Sequence, residues 1–196
     1  MNHFDVFGLP RRLDIDGDEL QRRFYELSRR HHPDFHLGAS PAEQAQALQA
    51  SARLNAAYRA LRDPIARIEY LVRLEEGRET REGSADKPAA PADLLAEMFE
   101  IQEALAEAKT GSLDAAARET LHEQRDRLRQ RQADTEAQLA GVLCRAWDTA
   151  GVAERPAILR EFKQALATRA YLRTVIADLD EALSEGEAAG AADHRH

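Results

Sequence analysis

The sequence predicts an all-α fold, a helical hairpin followed by a three-helix bundle, on three observations. Alanine, leucine, glutamate and arginine dominate the 196 residues, 43% of which are hydrophobic and 32% charged. Nowhere do six or more residues alternate polar and apolar with β-branched enrichment, so strand signals are absent. Apolar residues recur at helical spacing between caps: Asp16 with Glu19 three residues on, Ser40-Pro41-Ala42-Glu43, and Asp63-Pro64.

Taken in order, the first helix opens at Asp16 and carries Leu20, Phe24, Leu27 and His31 on one face. It must stop near His31, because Pro33 lacks an amide hydrogen and forces the residue before it out of the helical region. The capping box at Ser40 opens a second helix to about Arg62, with Leu48, Leu54, Ala57, Tyr58 and Leu61 as its apolar positions. Asp63-Pro64 restarts the pattern with Ile65, Ile68, Leu71 and Val72. Residues 75–91 lose periodicity and collect Gly, Ser, Pro and charge, which reads as a linker between a domain at 1–74 and one at 92–185. The second domain shows helices at about 92–109, 112–149 and 155–185, with a fraying, alanine-rich tail over 186–196. The long middle helix would also suit a coiled coil, but short connections favour packing within the chain.

Composition narrows the function classes. Residues 1–74 hold 11 arginines against 10 acids, whereas the remainder holds 16 basic residues against 25 acids. Two halves of different charge suggest two different partners, and a pI near 5.4 argues against a nucleic-acid binder. No stretch approaches the roughly 18 apolar residues of a membrane span, and the N-terminus lacks the apolar run of a signal peptide, which places the protein in the cytoplasm without a membrane partner. The single cysteine, Cys144, reads as a small core residue beside Val142 and Leu143. No nucleophile, glycine-rich phosphate loop or acidic pair accompanies His32 and Asp34, so no catalytic residue and no cofactor is expected. His31, His32, Asp34 and His36 could supply metal ligands, yet a proline turn throws neighbouring side chains in different directions, and His31 falls on the core face, so no metal site is expected.

The tripeptide His32-Pro33-Asp34, at the loop joining two antiparallel helices, resembles the turn of J-domain co-chaperones. The run Asn2-His3-Phe4-Asp5-Val6-Phe7-Gly8-Leu9-Pro10 and the run from Leu54 to Pro64, continuing through Arg67, Glu69, Tyr70 and Leu71, resemble the HscB family, the J-type co-chaperones of iron-sulfur cluster assembly. A J-domain followed by a helical domain, with neither a Gly/Phe-rich region nor CxxC repeats, fits the same family. The first 74 residues are then a J-domain.

Two binding faces follow from that resemblance. Arg22, Arg23, Arg29 and Arg30 form a basic stripe away from the core of the first helix and end at the tripeptide. Alone they would be an ordinary solvated face. In the family this surface docks a DnaK-type chaperone, HscA, and its turn promotes ATP hydrolysis there, so the resemblance assigns chaperone binding to these arginines with His32, Pro33 and Asp34, and makes this protein an ATPase activator and not an enzyme.

The second face lies on the helix after the linker. Leu94, Met98, Ile101 and Leu105 form its core stripe, while Leu95 and Phe99 lie off it, rimmed by Glu100, Glu103 and Glu107. Leu95 and Phe99 either pack against the third helix of the bundle or form a protein-binding patch. The resemblance favours the patch: in HscB proteins this helix binds an IscU-type scaffold, and Leu95, Ala96, Phe99, Glu100, Glu103, Glu107 and Tyr171 match the positions used, with Tyr171 off its own core stripe and compatible with exposure. Phe35-His36 and the small Ala96 depart from the family pattern. A J-protein with another client would keep the tripeptide without needing the Leu95/Phe99 patch.

Overall fold

The computed structural model describes residues 1–32, 34, 38–77, 99, 101–103, 106 and 115–193, with the backbone alone from 185 onward. All the regular elements among them are helical. They are α1 (His3–Val6), α2 (Gly17–His31), α3 (Pro41–Arg62), α4 (Pro64–Glu75), α5 (Ala115–Gln138), a π turn (Leu139–Leu143), α6 (Cys144–Thr149) and α7 (Arg155–Asp193). The chain divides into two compact units, one made of Met1–Glu82 with Leu139–Phe162, the other of Gly83–Gln138 with Lys163–His196.

The helix starts of the first unit are written locally. Asp16 accepts the amides of Asp18 and Glu19 at the start of α2. At Ser40 the capping box closes in both directions, Glu43 N–H to the Ser40 hydroxyl and Ser40 N–H to the Glu43 carboxylate, with Pro41 opening α3. Asp63 accepts the amide of Ala66 ahead of Pro64. The short α1, absent from the sequence reading, rests on the same device, since Asn2 and Asp5 cap one another reciprocally. Gly8 at φ +61° turns the chain out of α1, and Gly77 at φ +68° closes α4, where the Glu76 and Gly77 amides reach back to the carbonyls of Val72 and Leu74.

Packing then assembles α2, α3 and α1 around a core of Phe4, Phe7, Leu20, Leu54, Leu61, Ile68 and Leu71. Phe24 stacks on Tyr58 with ring centroids 4.1 Å apart, and His3 stacks on Tyr70, whose hydroxyl accepts the His3 amide at 2.8 Å. Leu48, expected among the apolar positions of α3, is instead 62% exposed, and Ala47 takes the buried place one residue earlier.

Helical periodicity assigns residues 139–162 to the C-terminal bundle, yet they pack with the first unit. The π turn lies against α4, and Leu139, Leu143, Cys144, Trp147 and Phe162 are buried. Asp148 accepts the amides of Leu13 and Asp14, both at 2.8 Å. Arg67, only 5% exposed, holds the same loop by donating from Nη1 to the Leu13 carbonyl, while its Nε donates at 2.7 Å to the carbonyl of Leu61. Burial lowers the pKa of this guanidinium, opposed by the nearby Cys144, Asp63, Asp14 and Asp148.

In the second unit one cluster joins Ile101, Leu121 and Leu128 to Leu172, Val175, Ile176, Leu179 and Leu183 of α7. Arg129 reaches both oxygens of Asp180 at 2.9 Å, Arg125 lies 3.7 Å from the same carboxylate, and Arg169 reaches Glu136 at 2.7 Å, so ion pairs flank the contact between α5 and α7. The core stripe expected on the last helix, Phe162, Leu172, Ile176 and Leu183, is buried, with Ile158 half-buried. That helix runs to Asp193, past the expected end at 185. Its last turns contain no proline, and their alanines and glutamates favour a helix that Gly186 and Gly190 oppose.

Replacing Arg67 by methionine strands the Leu61 and Leu13 carbonyls in an apolar site. The expected cost is about 3 kcal/mol, read as a lower urea midpoint through the fluorescence of Trp147, the only tryptophan and a reporter of the first unit. An unchanged midpoint would show that water replaces the guanidinium without cost.

Candidate functional site: an exposed His/Asp turn and a second apolar face

Helix α2 ends on His31, and His32 adopts φ −67° and ψ 130°, the extended conformation that a following proline requires. Pro33 itself lies outside the described residues. The side chains of His32 and Asp34 are 53% and 75% exposed. The Asp34 amide donates to His32 Nδ1 at 3.3 Å, and the Asp34 carboxylate lies 3.5 Å from that nitrogen. The pair is presented at a helix end, with its relative orientation set by a backbone bond.

The four arginines divide by use. Arg22 and Arg30 are largely exposed, each paired with a glutamate one turn earlier, Glu19 at 2.5 Å and Glu26 at 2.6 Å. Such surface pairs contribute little, so Arg22 can exchange its glutamate for a carboxylate on a partner at little cost. Arg29 is exposed. Arg23 is different: its Nη1 donates to the Phe7 carbonyl at 2.7 Å while its Nε holds Glu19 at 2.7 Å. It tethers α2 to the turn after α1. The Arg23 hydrogen bond, then the Arg22 charge, hold the Glu19 carboxyl below its usual range. The sequence reading placed all four in one stripe because wheel position carries no information about a carbonyl 16 residues away.

On the second face, Leu95, Ala96, Glu100 and Glu107 lie outside the described residues. Phe99 is 76% exposed and Glu103, one turn further on, is also exposed, while Ile101 between them is buried. Of the two readings of Phe99, packing or exposure, the structure has exposure. Tyr171 departs from expectation. It is half-buried against the cluster containing Ile101 and Leu172, because the apolar seam is wider than the one stripe counted on the wheel.

Among the described residues, no three His, Cys, Asp or Glu side chains converge to hold a metal ion; His36 lies outside them. Cys144 is buried, and its thiol pKa is pushed up to about 11, first by burial and then by the charge of Asp148.

Two family models cover much of this architecture. The DnaJ domain matches residues 2–70 and the HSCB C-terminal oligomerisation domain matches residues 90–155. The chain belongs to the HscB family of J-domain co-chaperones. A co-chaperone protein HscB homolog from Vibrio vulnificus is 41% identical over 112 residues, 57% of this chain and 64% of that protein. One from Bordetella petrii is 51% identical over 70 residues, 36% of this chain and 41% of that one. The matched stretches thus span less than two thirds of these curated relatives. Among solved structures, the chaperone HscB from Vibrio cholerae aligns with a TM-score of 0.64 at 26% identity, covering 93% of this chain and 99% of that one. The human co-chaperone protein HscB shares the fold, with a TM-score of 0.61 at 24% identity over 92% of this chain and 81% of that one. Within this HscB-family chain, the exposed His32/Asp34 turn lies inside the DnaJ match and Phe99 with Glu103 inside the C-terminal match.

Two outcomes follow. Arg23→Ala lowers stability by about 1 kcal/mol through the lost Phe7 carbonyl bond, whereas Arg29→Ala leaves the thermal midpoint unchanged; equal effects would contradict the division. For Cys144, the folded state keeps a proton that the unfolded chain loses near its ordinary value of 9, so this contribution to stability is complete below about pH 9 and is lost as pH rises toward about 11. Iodoacetamide at pH 8 is expected to modify Cys144 only after unfolding in urea, and rapid labelling of the folded protein would refute that.

Proposed function

We propose that this protein is a co-chaperone of iron-sulfur cluster biogenesis that binds an IscU-type scaffold, delivers it to an HscA-type chaperone of the DnaK family, and stimulates that chaperone's ATPase. The observation that carries the reading is the exposed His32/Asp34 pair at the end of an arginine-bearing helix within the DnaJ match. Such a turn acts without chemistry of its own. It binds one conformation of the ATPase better than the other and so shifts the chaperone's equilibrium by that difference in affinity. The protein is in this reading an activator and not an enzyme, and it needs no cofactor. Exposed Arg22, Arg29 and Arg30 would speed encounter with an acidic surface and fix orientation, with an affinity that falls as salt rises. Pro33 is assigned to the same contact, and Arg23 holds α2 in place.

Scaffold binding is assigned to Leu95, Ala96, Phe99, Glu100, Glu103 and Glu107. It is supported by the exposure of Phe99 beside Glu103, an apolar side chain rimmed by carboxylate. Tyr171, half-buried, would contribute an edge and not a whole ring. The cluster is cargo of the scaffold. The cytoplasm is the proposed location, and no described helix is long and apolar enough to cross a membrane.

The test is the steady-state ATPase rate of an HscA-type chaperone with and without an IscU-type scaffold. Stimulation should be abolished by His32→Gln with scaffold binding intact. Leu95→Ala with Phe99→Ala should weaken scaffold binding while stimulation without scaffold persists. Loss of both activities from either change would contradict the division of labour, and stimulation indifferent to scaffold would point to another client.

A further inference from the structure

A groove of about 240 Å³ opens between α1, α2 and α3 of the first unit, lined by Met1, Asp5, Val6, Leu27, His31, Ala50, Arg53 and Leu54. Its walls follow from helical spacing. Leu27 and His31 are one turn apart on α2, and Ala50, Arg53 and Leu54 share one face of α3. Val6, Leu27 and Leu54 make an apolar floor. Two of the lining polar side chains, His31 and Arg53, make no hydrogen bond or ion pair with any described residue. The third, Asp5, is committed to the cap of α1, where its carboxylate accepts the Asn2 amide at 2.8 Å. Residues 1–74 hold 11 arginines against 10 acids, so the Arg53 guanidinium is available to a carboxylate from outside the domain. At this size the groove falls below the roughly 300 Å³ of small-molecule sites, and it suits one or two side chains of a macromolecule.

We propose that this groove is a second contact for the ATPase partner, taking an aliphatic side chain on the Val6/Leu27/Leu54 floor and an adjacent carboxylate on Arg53. The inference rests on the reading of the His32/Asp34 turn as the activating contact. The charge argument selects the occupant: Arg53 offers five N–H donors in a planar fork suited to a carboxylate, and His31 adds a ring donor beside it. Continuity selects the source, because His31 is the last residue of α2 and adjoins His32, so a protein engaging the turn passes the mouth of the groove. The two contacts differ in what they do. A pair bound equally in both states of the ATPase adds affinity without shifting its equilibrium.

The experiment is a titration of an HscA-type chaperone's ATPase with wild type, Arg53→Ala, Arg53→Lys and His32→Gln. Arg53 is exposed, so its replacement leaves the fold intact, and thermal midpoints check this. Arg53→Ala should raise the concentration for half-maximal stimulation about tenfold, the worth of one charged hydrogen-bonded contact, with the maximal rate unchanged. Arg53→Lys should recover part of the affinity, and raised salt should narrow the gap between wild type and Arg53→Ala. His32→Gln should instead remove the maximal stimulation. A half-maximal concentration unchanged by Arg53→Ala, with His32→Gln inactive, would overturn the groove contact and leave the activating turn standing. No stimulation by the wild type would overturn both.

Discussion

The first unit depends on how the loop from Pro10 to Asp16 is held. This stretch has no regular structure, so its backbone groups need partners from elsewhere. Arg67 supplies one from α4, donating to the Leu13 carbonyl, and Asp148 supplies the other from the segment after the π turn, accepting the Leu13 and Asp14 amides. The loop is thereby clamped by a cation from within the first 74 residues and an anion from more than 130 residues along the chain. Arg67 also satisfies Leu61 at the end of α3, so the geometry of α3, α4 and the loop meets at one buried guanidinium. A buried charge is costly to bring out of water, and it is tolerated here because hydrogen bonds to two carbonyls and nearby acids compensate it.

That clamp explains why the chain after the linker is not all one bundle. Leu121 and Leu128 belong to the cluster of the second unit, and Leu139, Leu143 and Trp147 belong to the first. Between them lies the π turn, which inserts extra backbone into an otherwise continuous helix. It keeps Leu139 and Leu143 on one face, against α4, and leaves Val142 exposed. Cys144 beyond it is a buried thiol near Arg67, its pKa raised by that burial.

Function follows from a similar separation of duties. The arginines of α2 are alike in type and spacing, yet Arg23 spends its donors on Glu19 and the Phe7 carbonyl, whereas Arg22 and Arg30 pair with Glu19 and Glu26. A docking helix needs both kinds: one arginine to fix the helix against its own domain, and others that lose little on changing partners. The turn at His32 and Asp34 is then displayed by a helix whose position is set at its middle by Arg23 and at its start by Asp16.

What the sequence by itself determined is everything that a residue decides within a few positions of itself. Asp16, the Ser40–Glu43 box and Asp63-Pro64 set where helices begin, since a cap satisfies amides three residues away. Pro33 stops α2 and leaves His32 extended. The motif pattern also carried the family, because the tripeptide and its flanks are local strings. Tertiary structure alone decided what depends on residues distant in the chain. Leu48 faces water, and Tyr171 is half-buried although its wheel position suggested exposure. Asp148 and Arg67 meet at the same loop, and residues 139–162 join the first unit. Helical periodicity says which side chains share a face, but burial depends on which other surface arrives to cover it, and a hydrogen bond spanning 135 residues leaves no mark on the sequence around either partner.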